Sequence, residues 1–238
     1  LSLREKRGVQ ICGLVILKEK NTTLAKLNFL YMIIIDNFIG DTALLNDIAN
    51  DKTFFGQNGK YFWYDGWWNS PMNTIKKRLI YELWGPSSVH PAVKCEGFEY
   101  WTGQFGEGHR SELGPHFDKD EEHWLKTGGS KNGEVITPVM GSVFYPVPMD
   151  IEGGYLEIFK SDNDKNPERI QAKFNRLIVF EAGKYPHRVT EVTKGVRSAI
   201  AINLWEEAPT GVKSGSMLIE DAVAAKPLTP AKPSKKRK

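Results

Sequence analysis

Cysteine is nearly absent. Among 238 residues there are only Cys12 and Cys95, and their spacing matches neither a zinc site nor a redox pair. That excludes a disulfide-stapled scaffold and fits a reducing compartment, so the expected location is the cytoplasm. Long apolar runs are missing too. The stretch from Phe29 to Ile39 is interrupted by Asp36 and Asn37 and falls short of the ~20 apolar residues that a membrane span needs. The start resembles a signal peptide only faintly, because Lys18-Glu19-Lys20 closes the apolar run without a small-residue cleavage site. Acidic residues are absent from 226–238, which carry six basic side chains; residues 1–31 carry six basic and two acidic. With a net charge of +3 overall, the stretch 32–225 is left at −7. An acidic body argues against an extended nucleic-acid groove, where neutralised phosphates supply most of the affinity.

What is present describes a globular body. Aromatic residues are 11 % of the chain and include seven tryptophans, enough for a substantial core. Residues 1–31 read as an extension outside the fold, with Met32 opening the first strand; 32–205 read as one domain, and 206–238 as a flexible Pro/Lys-rich tail. Asp41 is placed to cap a helix over Thr42 to Ala49. Ser70 and Pro71 are placed to start a second, with Ile75, Leu79, Ile80 and Leu83 as its apolar stripe and Gly85-Pro86 as its end. From about Gly97 the pattern becomes strands and turns. Strands are expected near 97–104, 114–118, 135–147, 154–159, 168–172, 176–180, 185–190 and 196–205, with the core at about 97–205. The fold class is therefore mainly β, a sandwich or jelly roll with supporting amino-terminal helices. The run from Tyr61 to Trp68 is aromatic enough to line an entrance or to pack in the core.

One short motif carries chemistry. In His116-Phe117-Asp118 the outer two residues share a strand face and can grip one ion together. His187 follows 71 residues later and Arg197 ten after that. Two imidazoles and a carboxylate on one side of a metal leave the other side open, as non-haem Fe(II) oxygen chemistry requires, and an arginine fork suits a carboxylate-bearing co-substrate. Asp120 and His123, in the same acidic segment, are alternative ligands. Arg110 and Arg188 are further candidates for meeting a carboxylate or a peptide carbonyl.

From about residue 97 to 205 the chain resembles the 2-oxoglutarate/Fe(II)-dependent dioxygenase superfamily, and within it the prolyl 4-hydroxylase-like branch. His116-Phe117-Asp118, Ser142-Val143-Phe144-Tyr145-Pro146, Glu152-Gly153-Gly154-Tyr155-Leu156, Arg176-Leu177-Ile178-Val179-Phe180 before His187, and Gly195-Val196-Arg197-Ser198-Ala199-Ile200 occur in the family's order. The resemblance implies a double-stranded β-helix that binds Fe(II) through His116, Asp118 and His187. It implies 2-oxoglutarate held at its distal carboxylate by Arg197 and Tyr145, and O2 as oxidant, with ascorbate admitted as an accessory. Gly153 and Gly154 are read as a tight turn. Ala199 stands where some relatives place a helping Ser or Thr, and Asp118 occupies the position that related halogenases leave small, which favours hydroxylation. The implied reaction hydroxylates an unactivated C–H bond of a prolyl residue, another amino-acid residue or a small molecule, releasing succinate and CO2. The competing reading is a non-catalytic, cupin-like metal- or ligand-binding module, which would have no use for Arg197. Substrate identity and oligomeric state are not written in these motifs.

Overall fold

The computed structural model describes residues 9–10, 32–57, 59–85 and 95–220. The first half of the chain gives β1 (Val9–Gln10), β2 (Met32–Asp36), α1 (Thr42–Asn50), β3 (Phe62–Tyr64), α2 (Ile75–Trp84), β4 (Gly97–Gly106), β5 (Leu113–His116) and α3 (Glu121–Lys126). The second half gives β6 (Met140–Phe144), β7 (Glu152–Gly153), β8 (Leu156–Ile158), β9 (Glu168–Ile170), β10 (Arg176–Phe180), β11 (His187–Val189), β12 (Val192–Lys194), β13 (Val196–Trp205), α4 (Thr210–Ser214) and β14 (Leu218–Ile219).

These strands make a major sheet ordered β1-β2-β10-β6-β13-β4-β3-β14, a minor sheet β5-β11-β8-β9, and the short pair β12-β7. Strand alternation divides the major sheet into two apolar faces. Leu177 and Val179 of β10, with Ile200, Ile202 and Leu204 of β13, pack against Leu44, Leu45 and Ile48 of α1 and Leu79, Ile80 and Leu83 of α2. The intervening residues Ile178, Phe180 and Ala199 turn the other way and meet Leu156, Ile158 and Ile170 of the minor sheet. The result is three layers: helices, major sheet, minor sheet. The site lies between the two sheets. Among the described residues, no helix is long and apolar enough to cross a membrane.

α1 forms as its sequence indicates, with the Asp41 carboxylate accepting from the backbone N–H groups of Ala43 and Leu44. α2 starts later than Ser70-Pro71 suggested. Ser70 donates its N–H back to the Gly66 carbonyl and accepts from the Tyr64 hydroxyl at its own carbonyl. The helix begins only at Ile75, with the Thr74 hydroxyl accepting from the Lys77 N–H. α3 lies in the acidic stretch after the His-x-Asp motif, where no helix was expected. Asp120 caps it, and Glu121 and Glu122 occupy its first turn, where the helix dipole favours negative charge.

Residues 206–220 belong to the fold, against their reading as the start of a tail. α4 follows β13, and β14 pairs in parallel with β3. The Glu220 carboxylate takes Lys76 Nζ at 2.9 Å, the Thr74 hydroxyl at 2.8 Å and the Tyr100 hydroxyl at 3.1 Å, while its carbonyl takes Lys77 Nζ at 3.1 Å. These contacts satisfy two lysines that α2 buries. Residues 221–238, and all of 1–31 except the β1 pair, lie outside the described residues. β1 itself pairs with Ile34 and Ile35 of β2.

Candidate metal and co-substrate site

His116 ends β5 and His187 begins β11, and the two are direct cross-strand partners. Residues 71 positions apart in sequence are thereby brought side by side, with ring centroids 4.3 Å apart. Asp118 follows two residues beyond β5's end, its backbone N–H anchored on the Ala182 carbonyl at 2.9 Å. Its Oδ1 lies 3.7 Å from the Nε2 atoms of both His116 and His187. One ligand atom from each of the three residues falls within 4.8 Å of the others, so this group could hold a metal ion.

Both histidines are oriented the same way. His116 Nδ1 is 2.9 Å from the Gly114 carbonyl, and His187 Nδ1 is 3.1 Å from the Tyr185 carbonyl. A carbonyl can only accept, so each Nδ1 carries the hydrogen and each Nε2 presents a lone pair toward the shared centre. Burial, partly opposed by the Asp118 charge and reinforced by His116, holds the His187 imidazole below the usual histidine range, so the neutral ligand form is favoured. Phe180 packs edge-on against His187 at 5.0 Å. Asp120 and His123, the alternative ligands, are used elsewhere. Asp120 accepts the N–H groups of His123 and Thr210, and His123 Nε2 pairs with Glu134 at 2.9 Å.

The second oxygen of Asp118 is also fixed. Asn203 Nδ2 donates to Oδ2 at 3.0 Å and to Glu99 Oε2 at 3.4 Å, and Trp205 Nε1 donates to the same Glu99 oxygen at 3.1 Å. Space for the Asn203 side chain exists because its neighbour on β6 is Gly141, where a Cβ would come within 2.9 Å of Asn203 Oδ1 and 2.4 Å of the Ala182 Cβ. Burial and the Asp118 charge push the Glu99 carboxyl up to about 8, against the pull of its two donors.

Arg197 lies on β13, the strand beside these groups, and is 2 % exposed. Its Nε donates to the Gly154 carbonyl at 3.0 Å and its Nη2 to the Tyr145 hydroxyl at 2.9 Å. The Gly153-Gly154 pair does form a turn, both residues having positive φ. It does more than turn, since Gly154 supplies the carbonyl that holds the guanidinium, and a Cβ at Gly154 would come within 3.1 Å of Arg197 Cδ. Among the described residues no carboxylate pairs with Arg197. A buried, oriented guanidinium with a free edge can receive an anion, and the Tyr145 hydroxyl, which accepts from Nη2, keeps its own hydrogen to donate. Ser198 faces away and accepts from Gln104 Nε2 at 3.1 Å, as strand alternation requires.

A cavity of about 390 Å³ joins the two sets of groups, lined by His116, Asp118, His187 and Arg197 and by the aromatic residues Tyr61, Trp101 and Phe105. Arg110 reaches its wall, stacked 4.9 Å over Phe105. Arg188 points away and pairs with Glu157 at 2.7 Å. Tyr61 does line the entrance, whereas Phe62, Trp63 and Tyr64 are core. Glu99 and Asn203 were not anticipated, because neither sits in a motif; only the alternation of β4 and β13, read together with their register, would have placed them here.

Residues 100–205 match the family model described as the 2OG-Fe(II) oxygenase superfamily. Among solved structures, the chain is similar to a prolyl-4-hydroxylase from Pseudomonas putida, with 14 % identity over 75 % of this chain and 94 % of that one and a TM-score of 0.51. This likeness shows the fold, and the two facing sheets are the expected double-stranded β-helix. Lower similarity is found to the viral collagen prolyl hydroxylase of Paramecium Bursaria Chlorella virus-1, with 15 % identity over 73 % of this chain and 94 % of that one and a TM-score of 0.43. It is also found to a prolyl hydroxylase from Trichoplax adhaerens, solved with a hypoxia inducible factor peptide fragment, with 16 % identity over 74 % and 84 % and a TM-score of 0.42. No curated protein matches the sequence.

Proposed function

We propose that this chain, a 2-oxoglutarate-dependent dioxygenase whose residues 100–205 form the 2OG-Fe(II) oxygenase domain, hydroxylates an unactivated C–H bond of a prolyl or other amino-acid residue. His116, Asp118 and His187 hold the Fe(II), and Arg197 with Tyr145 holds the distal carboxylate of 2-oxoglutarate. The observation that carries this reading is the pairing of a group able to hold a metal with a buried guanidinium, lacking a carboxylate partner of its own, in one cavity. A cupin-like binding module would not bury an arginine without giving it a carboxylate, since an uncompensated buried charge is costly. The prolyl-hydroxylase likeness of the fold supports an amino-acid substrate.

When bound, Fe(II) with 2-oxoglutarate and O2 supplies the oxidising power, yielding succinate, CO2 and a hydroxylated product. The chain contributes position and exclusion. The carbonyls of Gly114 and Tyr185 fix the imidazole tautomers. The Asn203 amide ties up one Asp118 oxygen and leaves the other for the metal. The Gly154 carbonyl and Tyr145 hold the guanidinium still, so that the carboxylate meets a preset fork. Phe105, Val143, Leu156, Val189 and Ala199 keep the space between the sheets apolar, which limits side reactions with water.

The test is succinate release coupled to a one-oxygen mass gain when proline-containing peptides and free amino acids are offered to the wild type and to His187→Ala. Coupled products from the wild type alone are expected. Equal turnover by the variant would remove His187 from the site, and failure of every amino-acid substrate while a small molecule of another class is oxygenated would overturn the substrate assignment.

A further inference from the structure

The pocket face of the major sheet is a ladder of cross-strand pairs from β13 and β4: Arg197 with Phe105, Ala199 with Gly103, Ala201 with Trp101, and Asn203 with Glu99. The first pair belongs to the co-substrate end; Ala199 and Gly103 leave space because both are small, and on the next rung only Ala201 is small, opposite the Trp101 ring. The last pair presents a carboxylate that the proposed reaction does not use.

Glu99 is only 9 % exposed, and its two oxygens differ. Oε2 receives both donors, Trp205 Nε1 and Asn203 Nδ2. Among the described residues no donor reaches Oε1, yet no fully buried side-chain oxygen lacks a partner. Oε1 must therefore open onto the cavity, whose wall includes Glu99. Two aromatic rings flank this corner. Trp101 is on the next rung, and Tyr61 packs against it with centroids 5.1 Å apart. Tyr61 and Glu99 line the same cavity, and burial leads in pushing the Tyr61 phenol up. The cations in the cavity wall are committed elsewhere: Arg197 to Gly154 and Tyr145, Arg110 to the Phe105 face, and Lys119 to Glu121 at 2.7 Å.

With the corner empty, burial keeps the Glu99 carboxyl largely protonated near neutral pH, and pairing with a cation favours its ionised form. A fixed carboxyl oxygen beside two packed aromatic rings, with no cation of its own, has the chemistry of a cation receptor. We propose that Glu99, Trp101 and Tyr61 form a recognition corner for an ammonium or guanidinium group on the substrate, held one amide away from Asp118. The charge of −7 over residues 32–225 draws such a group toward the body. This inference rests on the reading of the site as an Fe(II)/2-oxoglutarate centre.

The experiment uses the full chain, anaerobic, with Fe(II) and 2-oxoglutarate, at a pH above the value of about 8 to which burial pushes Glu99. The visible charge-transfer absorption of that complex checks the underlying reading. Calorimetric titrations then compare N-acetyl-lysine amide and N-acetyl-arginine amide with their uncharged counterparts, N-acetyl-norleucine amide and N-acetyl-citrulline amide. At least one charged probe should bind about tenfold or more tightly than its counterpart, the ratio a charge-assisted hydrogen bond supports, and Glu99→Gln should abolish the preference. Should Glu99→Gln fail to fold, Tyr61→Ala, at a side chain 49 % exposed, should weaken binding of the charged probes alone. Equal binding of charged and uncharged probes, binding of none, or a preference that survives both substitutions overturns the corner. Absence of the absorption band overturns the centre itself, so the two failures are distinguishable.

Discussion

The two ends of the β13–β4 ladder differ in how completely they are closed. At the Arg197 end the guanidinium is held from two sides by Gly154 and Tyr145, and 2 % of the residue is exposed. At the Glu99 end one oxygen is saturated by Trp205 and Asn203 while the other faces the cavity beside Tyr61, which is half exposed. A closed, preset end suits a ligand that is the same in every turnover. An end with one open polar atom and a half-exposed aromatic wall suits the ligand that varies from one protein to another. The same sheet thus carries a general half and a particular half.

Substitutions can break this contrast, and the largest effect is expected at the metal group between the two ends. His187→Ala should lose iron retention, measured by metal analysis after equilibrium dialysis, because one of three ligands and its fixed tautomer vanish together. Next comes the closed end. Arg197→Ala should raise the 2-oxoglutarate requirement by roughly two orders of magnitude, the cost of leaving a buried charge unpaired, with iron still retained. Arg197→Lys should recover part of this loss, since the charge returns but the fork does not. At the particular end, Asn203→Ala should weaken iron binding about tenfold, as outer partners of metal ligands commonly do, with little change in the 2-oxoglutarate requirement. A larger effect on 2-oxoglutarate than on iron would erase the distinction drawn between the ends.

The smallest effect is expected at a partly exposed ion pair outside the cavity lining. Asp36 on β2 meets Arg176 Nε at 2.6 Å and Lys173 Nζ at 2.8 Å. The hydrogen bond to Arg176 leads in holding its carboxyl down at about 2, from an ordinary 3.8. A depressed carboxyl contributes stability above its unfolded value and loses it as pH falls through the folded one. Asp36→Asn should therefore cost no more than about 1 kcal/mol near neutral pH, and the gap between variant and wild type should close between pH 3.8 and about 2. Thermal melts across that range measure it, and catalysis should be unchanged.

The sequence was informative where chemistry and local pattern coincide. His-x-Asp, the distant His187 and Arg197, taken with the ordered motifs around them, pick out residues that the structure gathers around one cavity. β10 and β13 match their expected bounds, residues 176–180 and 196–205, because turn residues on either side leave little choice of limits. Legibility failed where a contact at long range decided the outcome. Residues 206–220 offer few large apolar groups, Val212 and Met217 to Ile219, and look unfoldable alone, yet Val212 and Met217 pack against Trp63 and Trp205, and Glu220 is tied to Thr74, Lys76 and Tyr100. Asp120 to His123 looks like a ligand-rich loop, because a single helical turn has no apolar period to announce it. Glu99 and Asn203 meet only through the register of two ten-residue strands, and nothing near either residue hints at the other.

The central claim is that three ligands and one arginine, drawn from separate strands, build a single Fe(II)/2-oxoglutarate centre. Visible absorption of the anaerobic protein, titrated with Fe(II) and 2-oxoglutarate separately and together, tests it most directly. The account predicts a charge-transfer band that appears only when both are present and is absent in His187→Ala; no band in the wild type, or an undiminished band in the variant, would contradict it.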